Sequence, residues 1–130
     1  MQRKVLIIDD EIHVADTLAM VLSAHGYAVR VEYCGEAGVR GAAEFFPDIV
    51  LSDVLMPDID GVEVAQQIRR SSINCRIFLL SALPDHAHRL QHARGDGETF
   101  PVLEKPLDPH SLLLRLRSQA ESGSAPSPIS

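Results

Sequence analysis

Short runs of branched apolar residues alternate along the chain with longer stretches in which apolar positions recur every three or four residues. The alternation repeats about five times between Lys4 and Gln119. Such regularity predicts an α/β fold, a doubly wound parallel sheet with helices on both faces. The strand candidates are Val5–Ile8, Ala28–Tyr33, Ile49–Ser52, Ile77–Leu80 and Phe100–Leu103. Three of them are almost wholly apolar, as strands covered on both faces should be. Between the first two, Val14, Leu18, Val21 and Leu22 mark one helical face, and Gly26 supplies the stop. The second helix, Gly35–Phe46, contains Gly38 and Gly41, each costing about 1 kcal/mol of helix propensity. Asp108-Pro109 places an N-cap acceptor before a proline at the first helical position, and Leu112, Leu113 and Leu116 share one face of the last helix. From Ser118 onward the composition turns to Ser, Ala, Gly and Pro, which bury too little apolar surface to offset ordering entropy. The expected organisation is one domain over residues 1–119 and a disordered tail over residues 120–130, with no internal repeat and no effector domain after Gln119.

Composition narrows the function classes. The chain has 130 residues, is 45% hydrophobic and carries a net charge of −6, enough for a single core that folds without staples. Cys34 and Cys75 are its two cysteines, and the start, Met1-Gln2-Arg3-Lys4, leads into only four apolar residues, too few for a signal peptide. Both features favour a reducing, cytoplasmic setting. No apolar run approaches the ~18 residues of a membrane span. A pI near 5.4 argues against a nucleic-acid surface. Membrane and DNA are therefore not expected as direct partners.

In an open parallel sheet, ligands bind beyond the carboxyl ends of the strands. The residues there are Asp9-Asp10-Glu11, Asp53, Ser81-Ala82 and Lys105-Pro106. Four strands thus deliver three aspartates, a hydroxyl and a lysine to one rim. Three carboxylates brought together raise each other's pKa unless a hard cation neutralises them. Mg²⁺ suits that task, with oxygen ligands and retained waters. A carboxylate on Mg²⁺ with an ammonium opposite is a competent nucleophile toward a phosphoryl group, whose oxygen the Ser81 hydroxyl can hydrogen-bond. Taken singly, each of these residues has an ordinary explanation as a turn, cap or solvated side chain. Their conjunction at successive strand ends carries the reading.

The chain resembles a response-regulator receiver domain from Lys4 to about Gln119. The resemblance rests on Val5-Leu6-Ile7-Ile8-Asp9-Asp10-Glu11, on Asp48 to Gly61 with its Ser52-Asp53-Val54-Leu55-Met56-Pro57 centre, on Phe78-Leu79-Leu80-Ser81-Ala82 and on Glu104-Lys105-Pro106. It implies a flavodoxin-like (βα)5 fold with strand order 2-1-3-4-5. It also implies that Asp53 is the phosphoacceptor, that Asp10, Asp53 and the backbone carbonyl of Leu55 ligate Mg²⁺, and that Asp9 does so through a water. Ser81 stands at the family's switch hydroxyl, Lys105 would pair with the phosphoryl group, and the Lys105-Pro106 peptide would be cis. The implied partners are a histidine kinase or phosphotransfer protein and a downstream protein target, contacted through the fourth helix, fifth strand and fifth helix. The implied chemistry is a phosphorelay step, in which the protein catalyses only its own phosphorylation and dephosphorylation.

Two departures from the family pattern stand out. Val102 occupies the place, three residues before the lysine, where receivers commonly carry Tyr or Phe, and Phe100 lies two residues earlier. The segment Arg94-Gly95-Asp96-Gly97-Glu98 lacks the usual Gly-Ala-Asp, predicting a longer or more mobile loop. The family's positions two after the acceptor and two after the switch hydroxyl flank the hydrolytic water, and here they are Leu55 and Leu83. Two competing classes are a phosphorylation-independent interaction module on the same scaffold and a haloacid-dehalogenase-type phosphohydrolase. The first sits poorly with an intact Asp10, Asp53 and Lys105. The second wants Asp where Leu55 stands. His86, His88 and His92 on the fourth helix are read as solvated residues rather than metal ligands, and Cys34 and Cys75 as structural or incidental thiols.

Overall fold

The computed structural model describes residues 2–71, 74–94 and 98–124. The elements are β1 (Lys4–Ile8), α1 (Ile12–Ala24), β2 (Ala28–Glu32), α2 (Gly35–Phe45), β3 (Ile49–Asp53), α3 (Gly61–Arg70), β4 (Arg76–Ser81), α4 (Pro84–Arg94), β5 (Val102–Glu104) and α5 (Pro109–Ser124). The five strands form one sheet in the order β2-β1-β3-β4-β5, parallel throughout. Fold class and strand order are those expected.

Each apolar run feeds two cores. Val5, Ile7, Ile49, Leu51, Phe78 and Leu80 point to one face, where α1 and α5 cover them with Leu18, Leu22, Leu112, Leu113 and Leu116. Their neighbours Leu6, Ile8, Val50, Ile77 and Leu79 point to the other, beneath Val64, Ala65 and Ile68 of α3 and Ala87 of α4. The alternation of period two is hidden in sequence because both faces are apolar. At the edge, β2 is only half-buried and carries Arg30, whose guanidinium pairs with Glu32 at 2.8 Å and Glu44 at 2.7 Å. Charge on an exposed edge discourages pairing with another chain.

The costly glycines of α2 have a packing reason. A Cβ on Gly38 would stand 2.5 Å from Cδ1 of Ile8, so only glycine lets α2 lie this close to β1. Cys34 caps α2 with no side-chain bond of its own. Asp58 does so from the β3–α3 loop, its carboxylate accepting the backbone N–H groups of Gly35 at 3.0 Å and Glu36 at 2.9 Å. At α5 the expected cap is present, Asp108 accepting from the backbone N–H of Ser111 at 3.0 Å and its hydroxyl at 2.8 Å.

Three features differ from expectation. Val14 is 40% exposed and lines a groove of about 560 Å³ between α1 and the β5–α5 connection; the buried face of α1 is Ala15, Leu18 and Leu22, with Val21 half-buried against the same core. β5 begins at Val102, not Phe100, because the N–H and C=O of Phe100 are both taken by the Gln91 side chain and Pro101 has no N–H to give. α5 runs to Ser124, so residues 120–124, expected in the tail, are helical; Ala120 and Glu121 are strong helix formers that let the helix propagate past Gln119. Residues 125–130, and residues 95–97 of the expected longer loop, lie outside the described residues. None of the helices is long and apolar enough to cross a membrane among the described residues.

Candidate functional site

The acid cluster sits where adjacent strands β1 and β3 end. β1 and β3 pair with Ile8 opposite Ser52, so Asp9 and Asp53, each one residue further on, emerge side by side. Ligand atoms of Asp9, Asp10 and Asp53 lie within 4.8 Å of one another, the one group of potential metal ligands among the described residues. Asp9 and Asp53 are buried, at 1% and 6% exposure, and Asp10 is more open.

Lys105 comes in from the far side. Its backbone N–H bonds the carbonyl of Ser81 at 2.9 Å, and the Lys105-Pro106 peptide is cis. Its ammonium lies 2.9 Å from Glu11 Oε1, 3.0 Å from Asp9 Oδ2 and 3.3 Å from Asp53 Oδ1. Burial alone would lower the Lys105 pKa, but Glu11, Asp9 and Asp53 outweigh it and hold the group well above its ordinary value. Asp53 moves the other way for a carboxylate. Burial, then the charges of Asp9 and Asp10, push it up to about 7 against the opposing pull of Lys105.

Charge and hydrogen bonding both leave room for a cation. Three clustered carboxylates face one ammonium, which leaves excess negative charge in a buried place. Asp9 Oδ1 accepts the backbone N–H of Glu11 at 3.0 Å, and its buried Oδ2 has the Lys105 ammonium at 3.0 Å as its one partner among the described residues. A divalent cation with a preference for oxygen fits both observations.

Ser81 ends β4, buried, next to the β3 strand end and opposite Glu104 of β5. Its hydroxyl accepts the backbone N–H of Leu83 at 2.9 Å, tying it to the turn that enters α4. Leu55 and Leu83, two residues past Asp53 and Ser81, are 55% and 58% exposed. On the other flank of Asp53, Gly61 seats the start of α3 directly on β3. Its N–H donates to the carbonyl of Val54 at 2.7 Å, and any Cβ there would collide with the backbone carbonyl of Asp53. Asp60 caps that helix by accepting from Glu63 N–H at 2.9 Å.

The structure thus brings together Asp9, Asp10, Asp53 and Lys105, with Ser81 on the neighbouring strand end. It leaves His86, His88 and His92 exposed along α4, and Cys34 and Cys75 as free thiols. Two residues had no role in the sequence reading, Glu11 as a partner of Lys105 and Asp58 as the cap of α2. Both lie in the quoted motifs, but their partners are distant in sequence, and no local pattern points to them.

Residues 5–117 match the family described as response regulator receiver domain. A probable transcriptional regulator, ycf27 of Guillardia theta, is 36% identical over 117 residues, which is 90% of this chain and 45% of that protein. The transcriptional regulatory protein ResD of Bacillus subtilis is 31% identical over 117 residues, 90% of this chain and 48% of that protein. The chain spans about half the length of these curated relatives. Among solved structures, the chemotaxis response regulator CheY4 of Vibrio cholerae superposes with a TM-score of 0.79 at 28% identity, covering 91% of this chain and 98% of that one.

Proposed function

The chain belongs to the response regulator receiver domain family, and from that premise we propose that Asp53 accepts a phosphoryl group from the phosphohistidine of a histidine kinase or phosphotransfer protein. The observation that carries this reading is the buried Asp53 carboxylate placed 3.3 Å from the Lys105 ammonium within a cluster of three aspartates. An Asp53 Oδ atom attacks phosphorus, the P–N bond to the donor imidazole breaks, and the electron pair leaves with the imidazole nitrogen. The product is an acyl phosphate on Asp53.

Asp10, Asp53 and the backbone carbonyl of Leu55 would hold Mg²⁺, with Asp9 acting through a water. The cation supplies charge neutralisation for the approach of an anionic phosphoryl group to an anionic site. The protein's own groups do the rest. Asp53 must be ionised to attack, and Lys105 favours that form by its charge. The same ammonium stabilises the added negative charge of the product. The Ser81 hydroxyl donates to a phosphoryl oxygen once it turns from Leu83. Output then passes to a protein target through α4, β5 and α5, as a shift between two conformations.

Incubation with acetyl phosphate and Mg²⁺, followed by intact mass, tests the reading. One phosphoryl group should be added to the wild type and none to Asp53→Asn. Labelling that persists in that variant, or after chelation of the metal, overturns the assignment.

A further inference from the structure

Among the three carboxylates that share the Lys105 ammonium, the shortest contact is to the residue with no place in the metal or acceptor set. Glu11 Oε1 stands 2.9 Å away, against 3.0 Å for Asp9 and 3.3 Å for Asp53. The Glu11 backbone is fixed at both ends. Its N–H donates to Asp9 Oδ1, and its carbonyl accepts the first helical bond of α1 from Ala15 at 2.9 Å. Only the side chain is free to exchange partners.

We propose, resting on the reading of Asp53 as phosphoacceptor, that Glu11 is a positioning residue that competes with Asp53 for Lys105. It holds the ammonium toward α1 in the unmodified protein and is the partner released when a phosphoryl group arrives. The three carboxylates differ in what separation costs. Asp9 is 1% exposed, so losing Lys105 would strand a buried charge. The Glu11 side chain is 60% exposed, and water replaces its partner readily. Exposed pairs of this kind shift an equilibrium by a factor of up to about five. A phosphoryl group adds roughly 1.5 to 2 negative charges on the Asp53 side, enough to win the contest. Glu11, once released, remains in the lining of the groove that it shares with His13, Val14 and Leu107.

The test is the affinity of the full chain for beryllofluoride, a phosphoryl mimic, in Mg²⁺, followed by ¹⁹F NMR. Glu11→Gln, close in shape, should bind it up to about fivefold tighter than wild type. Glu11→Asp, which restores the charge, should return affinity toward the wild-type value. In a Lys105→Ala background the same Glu11→Gln change should have no effect. Unchanged or weaker binding by Glu11→Gln overturns the proposal, as does equal tightening without Lys105, which would reflect only the general loss of negative charge. If the wild type itself takes up no beryllofluoride, the Asp53 reading falls and the competition falls with it; uptake by wild type with no Glu11 effect sinks the competition alone.

Discussion

The carboxamide of Gln91 holds the backbone of Phe100 by both its polar groups, Nε2 donating to the carbonyl oxygen at 3.0 Å and Oε1 accepting the N–H at 2.7 Å. Gln91 is itself 7% exposed, on a helix whose only other buried residue among those described is Ala87. Ala87 and the half-buried Leu90 give this helix a narrow apolar face, and the pair of bonds adds a polar fastening between α4 and the approach of β5.

Replacing Gln91 with Leu keeps volume but leaves the Phe100 N–H and C=O buried without partners. At about 1 to 3 kcal/mol for each of the two unsatisfied groups, the variant should lose roughly 2 to 6 kcal/mol. Urea unfolding measures it, and a loss below about 0.5 kcal/mol, the range of ordinary surface changes, would show that water satisfies these groups.

Activation should register in α4 rather than through an aromatic side chain on β5. Val102 is half-buried and too small to fill or vacate a ring pocket, whereas the Ser81 hydroxyl is bonded to Leu83 at the entrance of α4. A hydroxyl that swings over to a phosphoryl oxygen leaves the Leu83 N–H without its acceptor. Amide hydrogen exchange from Ser81 to Arg94 should therefore quicken on adding beryllofluoride; change confined to β5 would contradict this.

Asp53 sets a pH dependence in the metal-free protein. Its carboxyl is raised from 3.8 to about 7 on folding, by burial and by Asp9, so between those values the folded chain keeps a proton that the unfolded chain has lost. Stability then falls as pH rises through that window, and nothing is lost below it. Asp53→Asn removes this slope, so without Mg²⁺ the variant should gain on wild type as pH goes from about 4 to 7. Mg²⁺ should narrow the gap at the upper end. Urea midpoints for both proteins decide it, and parallel profiles would refute it.

The phosphorylated form should be long-lived. Leu55 and Leu83, two residues past Asp53 and Ser81, are exposed, and their side chains offer an incoming water no hydrogen bond. Placing Asn at 55 and Glu at 83 supplies one or two such bonds, each worth about 1 kcal/mol, and should hasten loss of the phosphoryl group about five- to thirtyfold. A decay no faster than wild type, followed by intact mass, would remove the leucines from the account.

Sequence pattern was most informative where the chain reports on its immediate surroundings. Apolar runs located β1, β3 and β4 to within a residue at each end, and the Asp108-Pro109 pair located the start of α5, because strand burial and helix capping act over a few positions. The four strand-end groups Asp9, Asp53, Ser81 and Lys105 were legible because parallel strands must all end on one rim. What escaped was non-local. The Gln91 side chain displaced the start of β5 from nine residues away, and Glu11 reached Lys105 across 94 positions. Gly38, a liability by helix propensity, is required by Ile8, a residue in another element.

The direct seat of Gly61 on the acceptor strand has a mechanical consequence. With no side chain between the first turn of α3 and the carbonyl of Asp53, that flank has no slack in which to store or absorb displacement. A displacement at Asp53 is therefore expected to pass across the pocket, toward the Ser81 turn and the Lys105 loop, rather than into α3.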